Sequence, residues 1–305
     1  MPLESVGIIA GMLLLALAAA WIAAERGSLL RSSTRRFFKE SGFGLNAIHG
    51  YIYGRWTNRY VRFLLSGMPS ADRGAATRLA DHYHGKILTH DHAAAIVHNH
   101  KDIPLTDLDQ VIPYPVARKI VLKGPPDVAA FECACRHARP SHCQPTRVCM
   151  VVGQPVVDFV LEHQPRASRR LTQAEALELL EAEHRRGHVH CAWFKDAMLD
   201  RFYAICNCCK CCCGGIEAMV KGGTRILAAS GYVARHDDEA CASCETCVET
   251  CAFAALAMNG NSVAVDWERC MGCGACEAVC PSQAITLVRD ERKGIPLDVR
   301  ALAGA

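Results

Sequence analysis

The longest apolar stretch lies near the start of the chain, where Val6 to Ala24 runs for 19 residues without a charge and includes Ile8, Ile9, Leu13, Leu14, Leu15, Leu17, Trp21 and Ile22. At about 1.5 Å per residue such a helix just spans a hydrocarbon core of roughly 30 Å, so residues 1–25 are expected to form a transmembrane anchor. A cleaved leader fits less well, because the only charged side chain ahead of the run is Glu4. Arg26, Arg31, Arg35, Arg36 and Lys39 follow, and a positive flank there puts everything downstream on the cytoplasmic side of a single-pass cytoplasmic-membrane protein. Residues 26–67 then interleave Phe37, Phe38, Phe43, Tyr51, Tyr53, Trp56, Tyr60 and Phe63 with Arg55, Arg59 and Arg62. That mixture suits a segment at headgroup level, or an ordinary core helix interrupted by Gly50 and Gly54.

From residue 68 to 231 the pattern is mixed. A capping box at Thr172 and Glu175 opens a helix with Leu177 and Leu180 on its apolar face and Gly187 at its end. Short apolar runs at Val128–Phe131, Val148–Val152, Val189–Phe194 and Phe202–Ile205 read as strands, three of them beside cysteines. The fold class expected is α+β: an N-terminal membrane helix, a mixed α/β cysteine-rich middle domain (68–231), a small C-terminal domain (232–290) and a tail (291–305). Histidines at 82, 84, 90, 92, 98 and 100 fall in three pairs at a period of eight. A period of eight drifts around a helix, so a solvated, partly helical face is the plainer reading and a metal or haem site the sharper one.

Composition narrows the function. The chain has 305 residues, net charge +3, 50% hydrophobic residues and 19 cysteines, enough to bury a core and too long for a disulfide scaffold. A charge near zero, without a basic stripe, excludes nucleic acid as a partner. No glycine-rich nucleotide fingerprint or Walker loop is present, which argues against a nucleotide cofactor. Fourteen of the cysteines lie between Cys206 and Cys280, in short spacings that suit metal ligation better than disulfides.

The last third carries the strongest signal. Cys241-x-x-Cys244-x-x-Cys247-x-x-x-Cys251 is followed by Cys270-x-x-Cys273-x-x-Cys276-x-x-x-Cys280-Pro281. Three closely spaced thiolates cap one cubane while the fourth reaches the other. Cluster I is thus expected on Cys241, Cys244, Cys247 and Cys280, and cluster II on Cys270, Cys273, Cys276 and Cys251. Zinc sites usually separate two pairs by a longer loop. Met258-Asn259-Gly260-Asn261 carries a hairpin signal between the halves.

These motifs resemble the bacterial-type two-cluster ferredoxins over residues 232–290, which implies two 4Fe-4S clusters and electron transfer. Glu245 and Ala252 stand where the family commonly has Gly and Pro, as Gly274 and Pro281 do in the second motif. An extra carboxylate beside cluster I favours its oxidised form.

Eleven cysteines remain (19 − 8). Cys133, Cys135, Cys143 and Cys149 supply four thiolates; Cys206, Cys208, Cys209, Cys211, Cys212 and Cys213 form a dense run whose adjacent members point different ways; Cys191, beside His188 and His190, reads as core or as a completing ligand. One or two further clusters, a zinc, or free thiols remain open. Together with His49-Gly50-Tyr51-Ile52-Tyr53-Gly54-Arg55-Trp56, these features resemble membrane-tethered bacterial 4Fe-4S ferredoxin-domain proteins. The leading expectation is a membrane-anchored carrier, with no catalytic residue, passing single electrons between redox protein partners or a membrane oxidoreductase complex. The alternatives are an enzyme reducing a small substrate within Cys133–Cys213, and a metal or cluster-assembly scaffold.

Overall fold

The computed structural model describes residues 3–24, 31–67 and 73–303. Arg26 of the positive flank, Met68 at the expected opening of the middle domain and residues 304–305 of the tail lie outside them. At the centre is a nine-stranded sheet: β1 (Tyr83–Leu88), β2 (Ile103–Asp107), β3 (Lys119–Leu122), β4 (Val128–Phe131), β5 (Cys149–Val152), β6 (Ser168–Leu171), β7 (Val189–Lys195), β8 (Arg201–Cys208) and β9 (Leu227–Ala228). The main path runs β6-β4-β5-β8-β7-β1-β9, with β3 joining β8 and β2 joining β3. Every residue of β7 is buried, as in a strand covered on both faces. The capping box is formed: Thr172 Oγ1 accepts from the Glu175 N–H at 3.2 Å, and a Glu175 carboxylate oxygen accepts from the Thr172 N–H at 2.8 Å. Gly187 follows helix Gln173–Arg185 with φ +71°.

The histidine pairs do not share a solvated face. His82 ends helix Arg73–His82, His84 lies fully buried in β1, and His92 is buried in helix His90–His98.

The aromatic segment packs inward. Phe37, Tyr51 and Tyr53 join the main core, while Phe43 and Phe63 stay exposed. Gly50 and Gly54 allow helix Leu45–Arg55 to dock: a Cβ on Gly50 would fall 2.0 Å from the Ala197 carbonyl oxygen, and one on Gly54 would meet the Phe159 ring at 2.8 Å.

The expected membrane anchor is corrected. Among the described residues no helix is long and apolar enough to cross a membrane. The run from Val6 sits in helix Leu3–Ala24, but Trp21 packs edge-on against Tyr51, ring centroids 5.7 Å apart. The stretch ahead of it, Val6 to Ala20, reaches only about 22 Å, short of a core of roughly 30 Å. The N-terminal membrane helix and the single-pass cytoplasmic-membrane location both fall with this; the α+β class stands.

Candidate metal centres

After the sheet the chain forms two small ribbons. β10 (Tyr232–His236) pairs antiparallel with β13 (Ile285–Arg289), and β11 (Leu256–Asn259) with β12 (Ser262–Val265). The second ribbon turns at Asn259-Gly260, where Gly260 has φ +62°. The segment is a repeat with an offset of 29 residues (270 − 241, 280 − 251), and the repeat extends to the backbone. Ser243, Glu245 and Ala254 have φ of 51°, 61° and 51°, and their counterparts Gly272, Gly274 and Gln283 have 62°, 78° and 55°. The left-handed turns curl each loop so that its cysteines face inward and its amides face sulfur: Ala255 N–H donates to Cys251 Sγ at 3.3 Å, and its counterpart Ala284 N–H to Cys280 Sγ at 3.2 Å. Ser243 N–H and Ala234 N–H reach Cys241 and Cys270, each at 3.4 Å.

Two separate cavities result. One is lined by Cys251, Cys270, Cys273 and Cys276, the other by Cys241, Cys244, Cys247 and Cys280. Four converging thiols with amide donors already aimed at sulfur are a donor set that fits a four-thiolate iron-sulfur group. The cavities differ in surroundings. Phe253, Leu256, Met271 and Leu287 wall the first, and burial pushes the Cys273 thiol up to about 12. The second includes His236, Glu245 and Ser282, and Cys244 is exposed. Hydrogen bonds from the Thr246 hydroxyl and N–H hold the Cys244 thiol below its ordinary value.

In the middle of the chain ten cysteines fall into two groups that the linear spacing does not reveal. Six thiols form a closed ring of neighbours, each interacting electrostatically with the next, in the order Cys133, Cys135, Cys213, Cys208, Cys206, Cys149 and back to Cys133. Strand register explains the ring. β5 lies beside β8 with Met150 opposite Ile205, which sets Cys149 next to Cys206, and Cys208 lies two residues further on the same face. Hydrogen bonding to Cys135, with burial, pushes Cys133 up to about 12. The second group is Cys143, Cys209, Cys211 and Cys212, whose sulfurs all lie within 4.8 Å of one another, with Cys143 and Cys211 at 2.8 Å. Cys143 is therefore not brought to Cys133, Cys135 and Cys149; adjacent Cys208 and Cys209 divide between the groups, as do Cys212 and Cys213. Cys191 belongs to neither: it is buried against Gly85 and its Sγ meets the Ala192 carbonyl at 3.7 Å.

Residues 263–286, which include Cys270 to Cys280, match the family of 4Fe-4S binding domains. No curated protein matches the chain. The C-terminal segment is a ferredoxin-type iron-sulfur domain. The ferredoxin-type domain binds 4Fe-4S and gives the chain an iron-sulfur electron-transfer role. Its contact with the cysteine-rich sheet is close: Lys210, inside the dense cysteine run, donates to the Glu249 carbonyl at 2.8 Å.

One charged residue escaped the sequence reading. Arg136 is fully buried, 3.3 Å from Glu183, and interacts electrostatically with Cys209. Burial alone would push the Cys209 thiol up, yet the Arg136 guanidinium holds it below its ordinary value. The only local signal was an arginine directly after Cys-x-Cys.

Proposed function

We propose that the protein is an iron-sulfur electron carrier or redox subunit that passes single electrons between redox protein partners. Cluster I is held by Cys241, Cys244, Cys247 and Cys280, and cluster II by Cys270, Cys273, Cys276 and Cys251. The observation that carries this is the crossing: each cavity takes three cysteines from one motif and the fourth from the other. A bound cubane supplies a one-electron change whose potential responds to nearby charge, amide donors and solvent. The chain's own residues do the rest. Amides of Ala255 and Ala284 orient the sulfurs, and the apolar wall of the second cluster's cavity excludes water. The segment that carries exposed Cys244 also exposes Asp237, Asp238, Glu239, Glu245 and Glu249, acidic groups that a partner meets with basic ones. In the middle region, the six-thiol ring holds a further iron-sulfur cluster, and the four sulfurs around Cys209 hold a second metal group, either a cluster or zinc.

Iron and acid-labile sulfide per chain, measured on anaerobically purified protein, test the reading. About eight of each correspond to the ferredoxin-type domain alone; about twelve or more place iron in the middle region as well. Cys273→Ser leaves the second cluster three thiolates, and its reduced electron paramagnetic resonance signal is expected to change; an unaltered signal and iron content overturn the ligand assignment.

A second reading, reduction of a small substrate, draws on one observation. Lys195 is buried with its Nζ 5.2 Å from the Tyr83 ring centre and 5.3 Å from that of Tyr53, and both tyrosines interact with Cys206 and Cys135 of the ring. Burial brings the Lys195 amine down to about 8, within reach of proton transfer near neutral pH. If this holds, Cys206→Ser abolishes turnover of the substrate while the spectra of the ferredoxin-type domain persist.

A further inference from the structure

Away from the cysteines, His90, His184 and His190 come together from three elements, each offering a ring nitrogen within 4.8 Å of the others. His90 opens helix His90–His98, His184 lies in the last turn of helix Gln173–Arg185, and His190 is fully buried in β7. The hydrogen bonds determine where the lone pairs point. Asn207 donates its Nδ2–H to the Val148 carbonyl at 2.7 Å, which leaves its Oδ1 as the acceptor 2.6 Å from His190 Nδ1. His190 therefore carries its proton on Nδ1 and turns the Nε2 lone pair outward. On His90, Nε2 lies 3.2 Å from a Glu181 carboxylate oxygen, an ion-pair contact, while Nδ1 turns toward His190. His90 Nδ1 and His190 Nε2 are 3.3 Å apart. The outward lone pair of His190 accepts there either the proton of His90 Nδ1 or a metal ion. The third imidazole decides the choice: His184 stacks on His90 with ring centroids 4.4 Å apart, and its Nδ1 is buried without a hydrogen-bond partner.

We infer that His90, His184 and His190 form a mononuclear site for a divalent first-row transition metal, with Asn207 and Glu181 orienting two of the ligands. Three imidazoles, with the outer N–H of His190 satisfied by an amide oxygen and His90 Nε2 beside a carboxylate, are an arrangement that such ions favour. Three protein ligands leave a fourth position, and the His90 side chain is 29% exposed. The site also adjoins the ferredoxin-type domain. His184 Cε1 is 3.9 Å from where a Cβ on Gly274 would stand, one residue from Cys273.

Zinc is the probe. Full-length protein with its iron in place is loaded with one equivalent of Zn2+ and examined by zinc-edge X-ray absorption and equilibrium dialysis. A nitrogen shell at about 2.0 Å, distinct from thiolate sulfur at about 2.3 Å, is expected. His184→Gln removes that shell and weakens zinc binding at least about 100-fold, with iron and sulfide unchanged. Glu181→Gln, at a side chain 45% exposed, weakens it about 10- to 100-fold. Sulfur-only zinc in the wild type, or zinc affinity unaltered in both variants, overturns the inference and leaves a stacked histidine trio sharing a proton. Loss of iron from the wild type would bear instead on the cluster reading, so the two fail separately.

Discussion

At the scale of single residues, the two halves of the ferredoxin-type domain share one backbone but not one sequence. The left-handed positions fall on Gly272 and Gly274 in the second motif, and on Ser243 and Glu245 in the first. At Gly272 glycine is obligatory, since a Cβ there would sit 2.2 Å from the Tyr232 carbonyl oxygen. Glu245 is exposed and pays in strain instead. A side chain in this region costs about 1–2 kcal/mol, while glycine gives back about 0.5–1 kcal/mol through the freedom of its unfolded chain. Glu245→Gly is therefore expected to stabilise the protein by up to about 1 kcal/mol in denaturant titration. Both Glu245→Gly and Glu245→Gln remove a carboxylate from the lining of the first cluster's cavity, and both are expected to raise that cluster's midpoint potential. A shift in the glycine variant alone would assign the effect to the backbone.

Elements show where local pattern sufficed. The capping box, the Asn-Gly turn and the four predicted strands all form within a residue or three of where alternation and turn chemistry place them. Gly50 and Gly54 are different: locally they weaken a helix, and only the surface it meets makes them useful. Thr34 Oγ1 meets His163 Nε2 at 2.7 Å and Arg55 donates to the His163 carbonyl at 2.7 Å, seating helices Ser32–Ser41 and Leu45–Arg55 on helix Val156–His163. Gly50→Ala, a favourable change in an isolated helix, is expected here to destabilise by about 1–3 kcal/mol, because the methyl meets a backbone carbonyl and the Phe37 ring. Thermal unfolding checks the sign.

For the molecule as a whole, the ferredoxin-type domain is not a bead on a string. Phe253 and Met271 pack into the same core as the central sheet, and so do Leu297 and Val299 from the expected tail. Arg300 pairs with Asp298 at 2.7 Å and with Asp91 at 2.6 Å, the latter on helix His90–His98. The last residues thus bind the domain to the sheet, although their composition reads as a tail. Leu297→Ala is expected to cost about 2–5 kcal/mol and to lower the unfolding midpoint followed by circular dichroism; a change under about 0.5 kcal/mol would mean that this packing is dispensable.

The sequence by itself determined whatever depends on near neighbours. The repeat of cysteines at an offset of 29 residues defined the ferredoxin-type motifs, since loop length and left-handed turns dictate which thiols converge. Tertiary structure decided what depends on distant neighbours. Only the pairing of β5 with β8 brings Cys149 beside Cys206, and only Trp21 against Tyr51 turns the end of an apolar helix inward. Likewise, His90 comes beside His190 because β1 pairs with β7, Leu88 opposite His190. Strand pairing acts through backbone hydrogen bonds common to every residue, so side-chain pattern reveals which face is buried but not which strand lies beside it.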